Sequence, residues 1–525
     1  MKILVTDPLS EEGVKILKER NFSVDVKTKL SGEEIKEIIG EYEALIVRSG
    51  TTVTADIIDA CKKMKVIGRA GVGVDNVDVD AATKKGIIVM NTPGGNTIST
   101  AEHTVSMLLS LNRNIPQACA LLKKGEWDRK RFTARELSGK CLGIVGLGRI
   151  GVEVAKRVQS FGMRIIAYDP FLSSKRAQQL EIELVDIDEL LKRADFLTIH
   201  TPLTEETKHL ISKKEFSKMK KGVKLLNCAR GGIVDEKALY DAIQEGIVAG
   251  AALDVFEQEP PKNNPLLALE NVIVTPHLGA STEEAQLNVA IEIAEQVADF
   301  IEGKGIRNAV NFPCMEGEAC RIIEPFVRLA EKMGSLQSQI ISGHINKVNI
   351  KYGGEVANHE VAPITIALIK GLLSCSLGDS VNYVNASLIA RERGITVSET
   401  KVLECDQFPN LIKIEVETSK GNSLVAGTLF TSNKPRIIKI DEFYIDTIPE
   451  GTILITRNID SPGIVGKIGT VLGDNGINIA AMNFGRTGPG GESMVALNVD
   501  DDISDAVVEK IKQCKNILDA KVVRL

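Results

Sequence analysis

Apolar and polar positions switch period repeatedly over residues 1–302. Runs at 3–6, 22–26, 44–47, 66–70 and 87–90 are short, apolar and β-prone, and they predict strands. Between them residues 11–20 read as a helix, and Ser31-Gly-Glu-Glu34 is a capping box opening another helix to Ile39. Alternation of this kind predicts a parallel sheet flanked by helices, with ligands held at the C-terminal ends of the strands. Those ends carry Arg48-Ser49, Arg69-Ala-Gly-Val-Gly-Val-Asp75 and Asn91-Thr-Pro-Gly-Gly-Asn96, loops of cation, glycine and amide that suit an anion. Residues 99–124 predict a long helix that Pro116 kinks or divides. The basic loop Trp127-Asp-Arg-Lys-Arg-Phe132 follows.

A second alternating series begins at residue 142. Strands are expected at 142–145, 164–168, 196–200, 223–229, 250–256 and 272–275, with helices at 149–160, 186–193 and 282–302. If the last helix returns to the first sheet, two lobes are joined twice and can close as a hinged pair. Beyond Asn311-Phe-Pro313 the pattern changes. Helices at 321–341 and 362–373, a strand at 347–352 and further strands toward Tyr444 describe a separate α/β unit without a chemical motif. From residue 452 the order is strand, helix, strand, strand, helix, strand, the split βαβ arrangement. Asp500-Asp-Asp502 enters the second of these helices and needs no function. The expected domains are 1–97 with 285–312, then 98–284, 313–447 and 448–525.

Composition narrows the class. A formal net charge of −6 gives no reason to expect nucleic acid or an anionic membrane as partner. No apolar run approaches the length of a membrane span. Nine cysteines, an odd number with no Cys-x-x-Cys, argue against a disulfide framework or a zinc site and fit a reducing cytoplasm. The six histidines show no metal-like pairing, so no metal is expected.

The chemistry centres on Gly146-Leu-Gly148-Arg-Ile-Gly151. Preceded by a strand, followed by a helix and a second strand ending in Asp169, it has the order of a dinucleotide-binding turn. The three glycines supply a tight turn, close backbone approach to pyrophosphate, and close helix–strand packing, while Asp169 accepts from ribose hydroxyls and favours NAD over NADP. At later strand ends stand Arg230, Glu259 and His277. Oxidising a secondary alcohol needs a base for the hydroxyl proton, which histidine suits near neutral pH. A carboxylate beside it fixes the tautomer, and a guanidinium binds a substrate carboxylate bidentately. Together the three describe a site for a 2-hydroxy acid.

The segments 142–151, Asn227-Cys-Ala-Arg-Gly-Gly-Ile-Val-Asp235, Gly250-Ala-Ala-Leu-Asp-Val-Phe256 with Glu259-Pro-Pro261, and Thr275-Pro-His-Leu-Gly-Ala-Ser281 resemble the D-isomer-specific 2-hydroxyacid dehydrogenases. Arg69-Ala-Gly-Val-Gly-Val-Asp-Asn-Val-Asp78 and the 91–96 loop narrow the resemblance, which extends over the whole chain, to members acting on a phosphorylated substrate. It implies an α/β chain in which a Rossmann-type NAD domain is inserted in a flavodoxin-like substrate domain. An α/β intervening domain and a ferredoxin-like βαββαβ ACT domain follow. The implied activity is NAD-dependent oxidation of 3-phospho-D-glycerate to 3-phosphohydroxypyruvate, the first committed step of L-serine synthesis, in a cytoplasmic homodimer or homotetramer.

At matching positions the resemblance makes His277 the acid/base, Glu259 its partner and Arg230 the carboxylate anchor. Gly71 and Gly73 help hold the carboxylate, Arg48, Arg69 and Asn96 face the phosphorylated substrate, and Arg129 reaches a neighbouring subunit's phosphate in some members. NAD contacts fall on Gly146, Gly148, Arg149, Ile150, Gly151 and Asp169 in the turn unit. Further contacts fall on Thr201, Cys228, Ala229, Arg230, Asp254, His277, Gly279 and Ala280. In the tail, Asn458, Asp460 and Asn478 resemble the loop and strand start that hold serine as effector, with Asn478 bridging toward Asp460. The alternatives are a reductase of hydroxypyruvate, glyoxylate or 2-oxoglutarate and, more remotely, an NAD-sensing corepressor-like scaffold.

Overall fold

The computed structural model describes residues 1–313, 317–403, 408–430 and 433–525. The first sheet is wholly parallel, in the spatial order Ser23–Val26, Lys2–Val5, Ala44–Val47, Val66–Arg69, Ile88–Met90. This is the flavodoxin-like order expected. Ser31 and Glu34 form the capping box, opening the helix Gly32–Ile38. The helix Glu283–Ile301 does return: Val289, Ile293 and Val297 share a core with Ile3, Val5 and Ile46 of the first sheet. The two lobes are therefore crossed twice by the chain. Two short helices, Ala55–Ala60 and Val79–Lys84, had no sequence expectation because each spans too few turns to show a period.

The second sheet is also parallel, with the order Val272–Val274, Val248–Leu253, Val223–Asn227, Phe196–Ile199, Cys141–Val145, Arg164–Tyr168, Glu183–Leu184. From Cys141–Val145 the chain first builds one way and then, from Phe196–Ile199, the other. The switch point lies between those two strands, where a ligand crevice opens. The long helix expected at 99–124 is two helices, Thr97–Arg113 and Ile115–Lys123. The break falls at Asn114, whose φ of 55° is left-handed, and Pro116 sits in the first turn of the second helix, where its missing N–H is harmless.

Beyond residue 317 the helices Gly317–Ile340 and Ala362–Leu377 cover a six-stranded sheet. Its order is Thr396–Val402, Ile345–Gly354, Asn410–Thr418, Gly421–Phe430, Lys434–Ile440, Phe443–Thr447. Only its first pair is parallel. This unit touches the first lobe: Asn382 Nδ2 donates to the Gly86 carbonyl at 3.2 Å, and Asn385 Nδ2 to that of Lys84 at 3.4 Å.

The last four strands form an antiparallel sheet ordered Ile479–Arg486, Glu492–Val499, Thr452–Ile459, Ile517–Arg524, the ferredoxin-like pattern. One face packs under the helices Ile464–Asp474 and Asp505–Lys512 through Leu454, Ile468 and Ile511. The other buries Ile453, Ile455 and Met494 in the core of the preceding unit. Asp500 and Asp502 are used locally, accepting from Asn478 and Arg524.

Candidate active site

The three glycines of the turn have three different reasons. Gly146 has φ +91°, and a Cβ there would lie 2.6 Å from the His200 carbonyl oxygen. A Cβ on Gly151 would lie 2.3 Å from the Gly146 carbonyl oxygen, so the helix can lie this close only without one. At Gly148 an added Cβ meets nothing within 4 Å, which leaves the backbone open to a ligand. Gly148 is the N-cap of the helix Arg149–Gln159 and gives no side-chain cap, so the first N–H groups are available to a phosphate. Asp169 accepts the Leu147 N–H at 2.8 Å on one oxygen and the Phe171 N–H at 2.9 Å on the other. Its carboxylate is thereby locked at the end of the second strand.

A cavity of about 430 Å³ runs from this helix start along the switch point. Arg149, Ile150, Thr201, Cys228, Ala229, His277, Gly279 and Ala280 are among its lining residues. Gly146, Gly151 and Asp169 support it from outside its lining. Thr201 Oγ1, His200 Nδ1 and Asn96 Oδ1 are buried in its wall without a partner. Unpaired buried polar atoms are costly, and their clustering fits a polar ligand such as a dinucleotide. The glycine cradle, the free helix start and Asp169 fit NAD.

Asp254 also lines the cavity, but its fully buried carboxylate is engaged by the loop that carries His277. It accepts the Thr275 hydroxyl at 2.6 Å and the N–H groups of Leu278 and Gly279 at 2.7 and 2.8 Å. Burial works against its charge, yet the bonds from His103, Thr275 and Leu278 outweigh it and hold the carboxyl below its ordinary range. Holding this loop is a task the sequence reading of Asp254 as an NAD contact did not contain.

His277 follows the strand Val272–Val274 with a left-handed φ of 54°, and its N–H is bonded to the Asp254 carbonyl at 2.9 Å. Its Nδ1 lies 2.8 Å from Glu259 Oε2, and Glu259 Oε1 accepts the Phe256 N–H at 3.1 Å. Burial again opposes the Glu259 charge. The hydrogen bond and charge of His277, with the Phe256 N–H, outweigh it and keep the carboxyl below its usual range. Arg230 crosses the cleft: its Nε donates to Asp75 Oδ2 at 3.0 Å and its Nη1 to the Ala229 carbonyl at 2.7 Å. A Cβ on Gly73 would lie 2.0 Å from Arg230 Nη2, and one on Gly71 1.5 Å from Arg69 Nη1. The two guanidinium groups occupy the space that side chains would take.

A second cavity, of about 480 Å³, opens on the substrate-lobe side. Arg48, Arg69 and Asn96 line it together with Arg230, Glu259 and His277, so Arg230 and His277 belong to the wall common to both cavities. Arg69 is pushed down to about 10, mainly by burial and then by the charges of Arg230 and Arg48. Its Nε is buried with no partner. Such a crowded cationic site gains from an anion.

Two groups of expected residues lie apart from these cavities. Arg129 stands on an exposed loop and lines neither cavity of its own chain. Within one chain the three effector candidates have different surroundings. Asn478 Nδ2 donates to Asp500 Oδ2 at 2.6 Å, whereas Asp460 Oδ2 accepts from Arg486 at 3.2 Å and the Gly490 N–H at 3.3 Å. Pairing of Ile479 with Val499 puts Asn478 beside Asp500, which follows Val499 directly. Asn458 is wholly buried, and both polar atoms of its side chain lack a partner. Residues not foreseen are Asp75 as the partner of Arg230, and His103 and Thr275 beneath the loop. Asp75 belongs to the Arg69–Asp78 segment, but its partner is distant in sequence. No helix among the described residues is long and apolar enough to cross a membrane.

This fold and site define a D-isomer specific 2-hydroxyacid dehydrogenase, whose NAD-binding domain profile matches residues 105–279. Residues 322–441 match the D-3-phosphoglycerate dehydrogenase intervening domain and 452–516 the ACT domain. D-3-phosphoglycerate dehydrogenases of Methanocaldococcus jannaschii and Archaeoglobus fulgidus are 50% and 48% identical, each aligned over 100% of both chains. The chain belongs to the D-3-phosphoglycerate dehydrogenase family. A solved D-lactate dehydrogenase from Aquifex aeolicus, in complex with NAD and lactic acid, is 32% identical with a TM-score of 0.53. It covers 60% of this chain and 100% of its own.

Proposed function

We propose that the chain oxidises 3-phospho-D-glycerate to 3-phosphohydroxypyruvate with NAD, opening L-serine synthesis in the cytoplasm. The observation that carries this reading is the placing of Arg230 and the His277–Glu259 pair on the wall shared by a dinucleotide cavity and a cation-rich one. Bound NAD supplies the hydride acceptor. His277 Nε2 takes the hydroxyl proton as the carbonyl forms. Glu259 on Nδ1 fixes the tautomer and balances the imidazolium. Arg230 exchanges Asp75 for the substrate carboxylate, with the Gly71 and Gly73 backbone beside it. Arg48, Arg69 and Asn96 hold the phosphate end.

Serine acts as feedback effector through the tail, with a coupling of about 1–3 kcal/mol that disfavours lobe closure. The contacts of Asn382 and Asn385 with the first lobe give it a mechanical route. Asn458 and Asp460 belong to the serine site, and Asn478 joins it from the second copy in a homodimer or homotetramer. Arg129 acts across the same kind of interface.

Steady-state reduction of NAD with 3-phosphoglycerate, with and without serine, tests the reading. Turnover that falls with serine is expected; turnover unchanged at saturating serine while serine still binds removes the regulation. The chief alternative, an unphosphorylated 2-hydroxy acid, is separated by Arg48→Ala. Use of phosphoglycerate should fall far more than use of 2-hydroxyglutarate, and equal losses would speak for the alternative.

A further inference from the structure

A third cavity, of about 390 Å³, lies at the other end of the nucleotide-binding sheet, where the strands Phe196–Ile199 and Val223–Asn227 begin. Arg230 and His277 follow the opposite ends of strands in this sheet. Five cations line this cavity: Arg135, Lys140, Lys220, Lys221 and Lys224. Only Glu136 and Asp195 oppose them in the lining. Lys220 Nζ is 3.0 Å from Asp195 Oδ1, and the other Asp195 oxygen takes the Cys141 N–H at 2.8 Å. That carboxylate is committed. Glu136 is left against four cations, none of which reaches a carboxylate within ion-pair distance among the described residues.

Lys224 is the most telling of the four. It is half-buried, and its ammonium donates to the Leu111 carbonyl at 3.2 Å and to Asn112 Oδ1 at 3.3 Å. Its third hydrogen bond, to the Asn112 carbonyl, is 3.5 Å, and the ammonium lies 5.9 Å from the centre of the Phe196 ring. All three acceptors are neutral, and burial holds the group below the ordinary lysine range. A desolvated cation with neutral acceptors gains strongly from a nearby anion, and like charges around one concavity repel until one arrives.

We propose that this cavity is a second anion site that takes a phosphate-bearing small molecule. The phosphate lies among Lys140, Lys221, Lys224 and Arg135, the last offering a planar fork suited to two oxygens. The organic part lies against Phe196 and Ala249. The volume exceeds what bare phosphate needs.

Calorimetric titration of inorganic phosphate and of pyrophosphate into the NADH-loaded full chain tests the site, with the double variant Lys140→Ala, Lys221→Ala beside it. Lys221 is exposed and Lys140 partly so, and circular dichroism checks that the variant folds; Lys221→Gln alone makes the same comparison if it does not. Affinity at this site should fall at least tenfold while KM for 3-phosphoglycerate stays within twofold. Arg48→Ala should do the reverse. Phosphate bound as tightly as pyrophosphate marks a monoester as the ligand, and tighter pyrophosphate an oligophosphate. Equal affinity in wild type and double variant, or displacement by chloride at equal ionic strength, overturns the site.

Discussion

Asp75 Oδ2 accepts a hydrogen bond from Arg230 Nε at 3.0 Å, so a carboxylate of one lobe occupies a guanidinium of the other. If Arg230 anchors the substrate carboxylate as proposed, that carboxylate competes with Asp75. The Asp75 side chain is largely exposed, and pairs of that kind are worth roughly 0.2–1 kcal/mol. Asp75→Asn should therefore lower KM for 3-phosphoglycerate by up to about fivefold, with kcat little changed. A rise in KM would instead make Asp75 a support that holds Arg230 in place.

His277→Asn should lower kcat by about 10²–10⁴-fold, the usual worth of a general base, while NADH affinity measured by fluorescence titration changes little. Glu259→Gln should cost less, because the imidazole stays in place. Glu259 titrates below the usual carboxylate range, so its charge persists throughout neutral pH. At about pH 7 the kcat of Glu259→Gln should accordingly fall between those of wild type and His277→Asn. A kcat equal to that of wild type would mean the carboxylate is not what matters.

Gly148→Ala and Gly151→Ala should fail in different ways. The first leaves the fold intact, since its Cβ meets no protein atom, and weakens NADH binding by occupying the phosphate's approach. The second forces a Cβ to 2.3 Å from a backbone oxygen and should cost about 1–3 kcal/mol of stability, the usual range for overpacking. Thermal midpoints and NADH titrations of both variants distinguish these outcomes. Matching losses in the two would remove the division of labour among the glycines.

Burial lowers His200 from 6.5 to about 4. Between those values an unfolded chain binds a proton that the folded one refuses, so stability is complete above about pH 6.5 and drains away as pH falls toward 4. Wild type should lose thermal stability more steeply than His200→Gln between about pH 7 and about pH 5. Parallel slopes would show that His200 is not neutral inside the fold.

The sequence by itself determined the order of strands and helices, the dinucleotide turn and the chemistry expected at strand ends. These are written in local signals: period, capping residues, glycine spacing and residue type. Gly146–Gly151 and the strand before them could be read because each requirement is met within a few neighbours. Arg230, Glu259 and His277 come together at one cleft because a parallel sheet sends successive strand ends to one edge. Tertiary structure alone decided what Arg230 binds, which loop Asp254 holds and where Asn478 turns. It also decided that Lys224 stands in a cationic cavity. Each depends on residues far apart in the chain, such as Asp75 with Arg230, whose meeting follows from lobe packing and leaves no periodic trace.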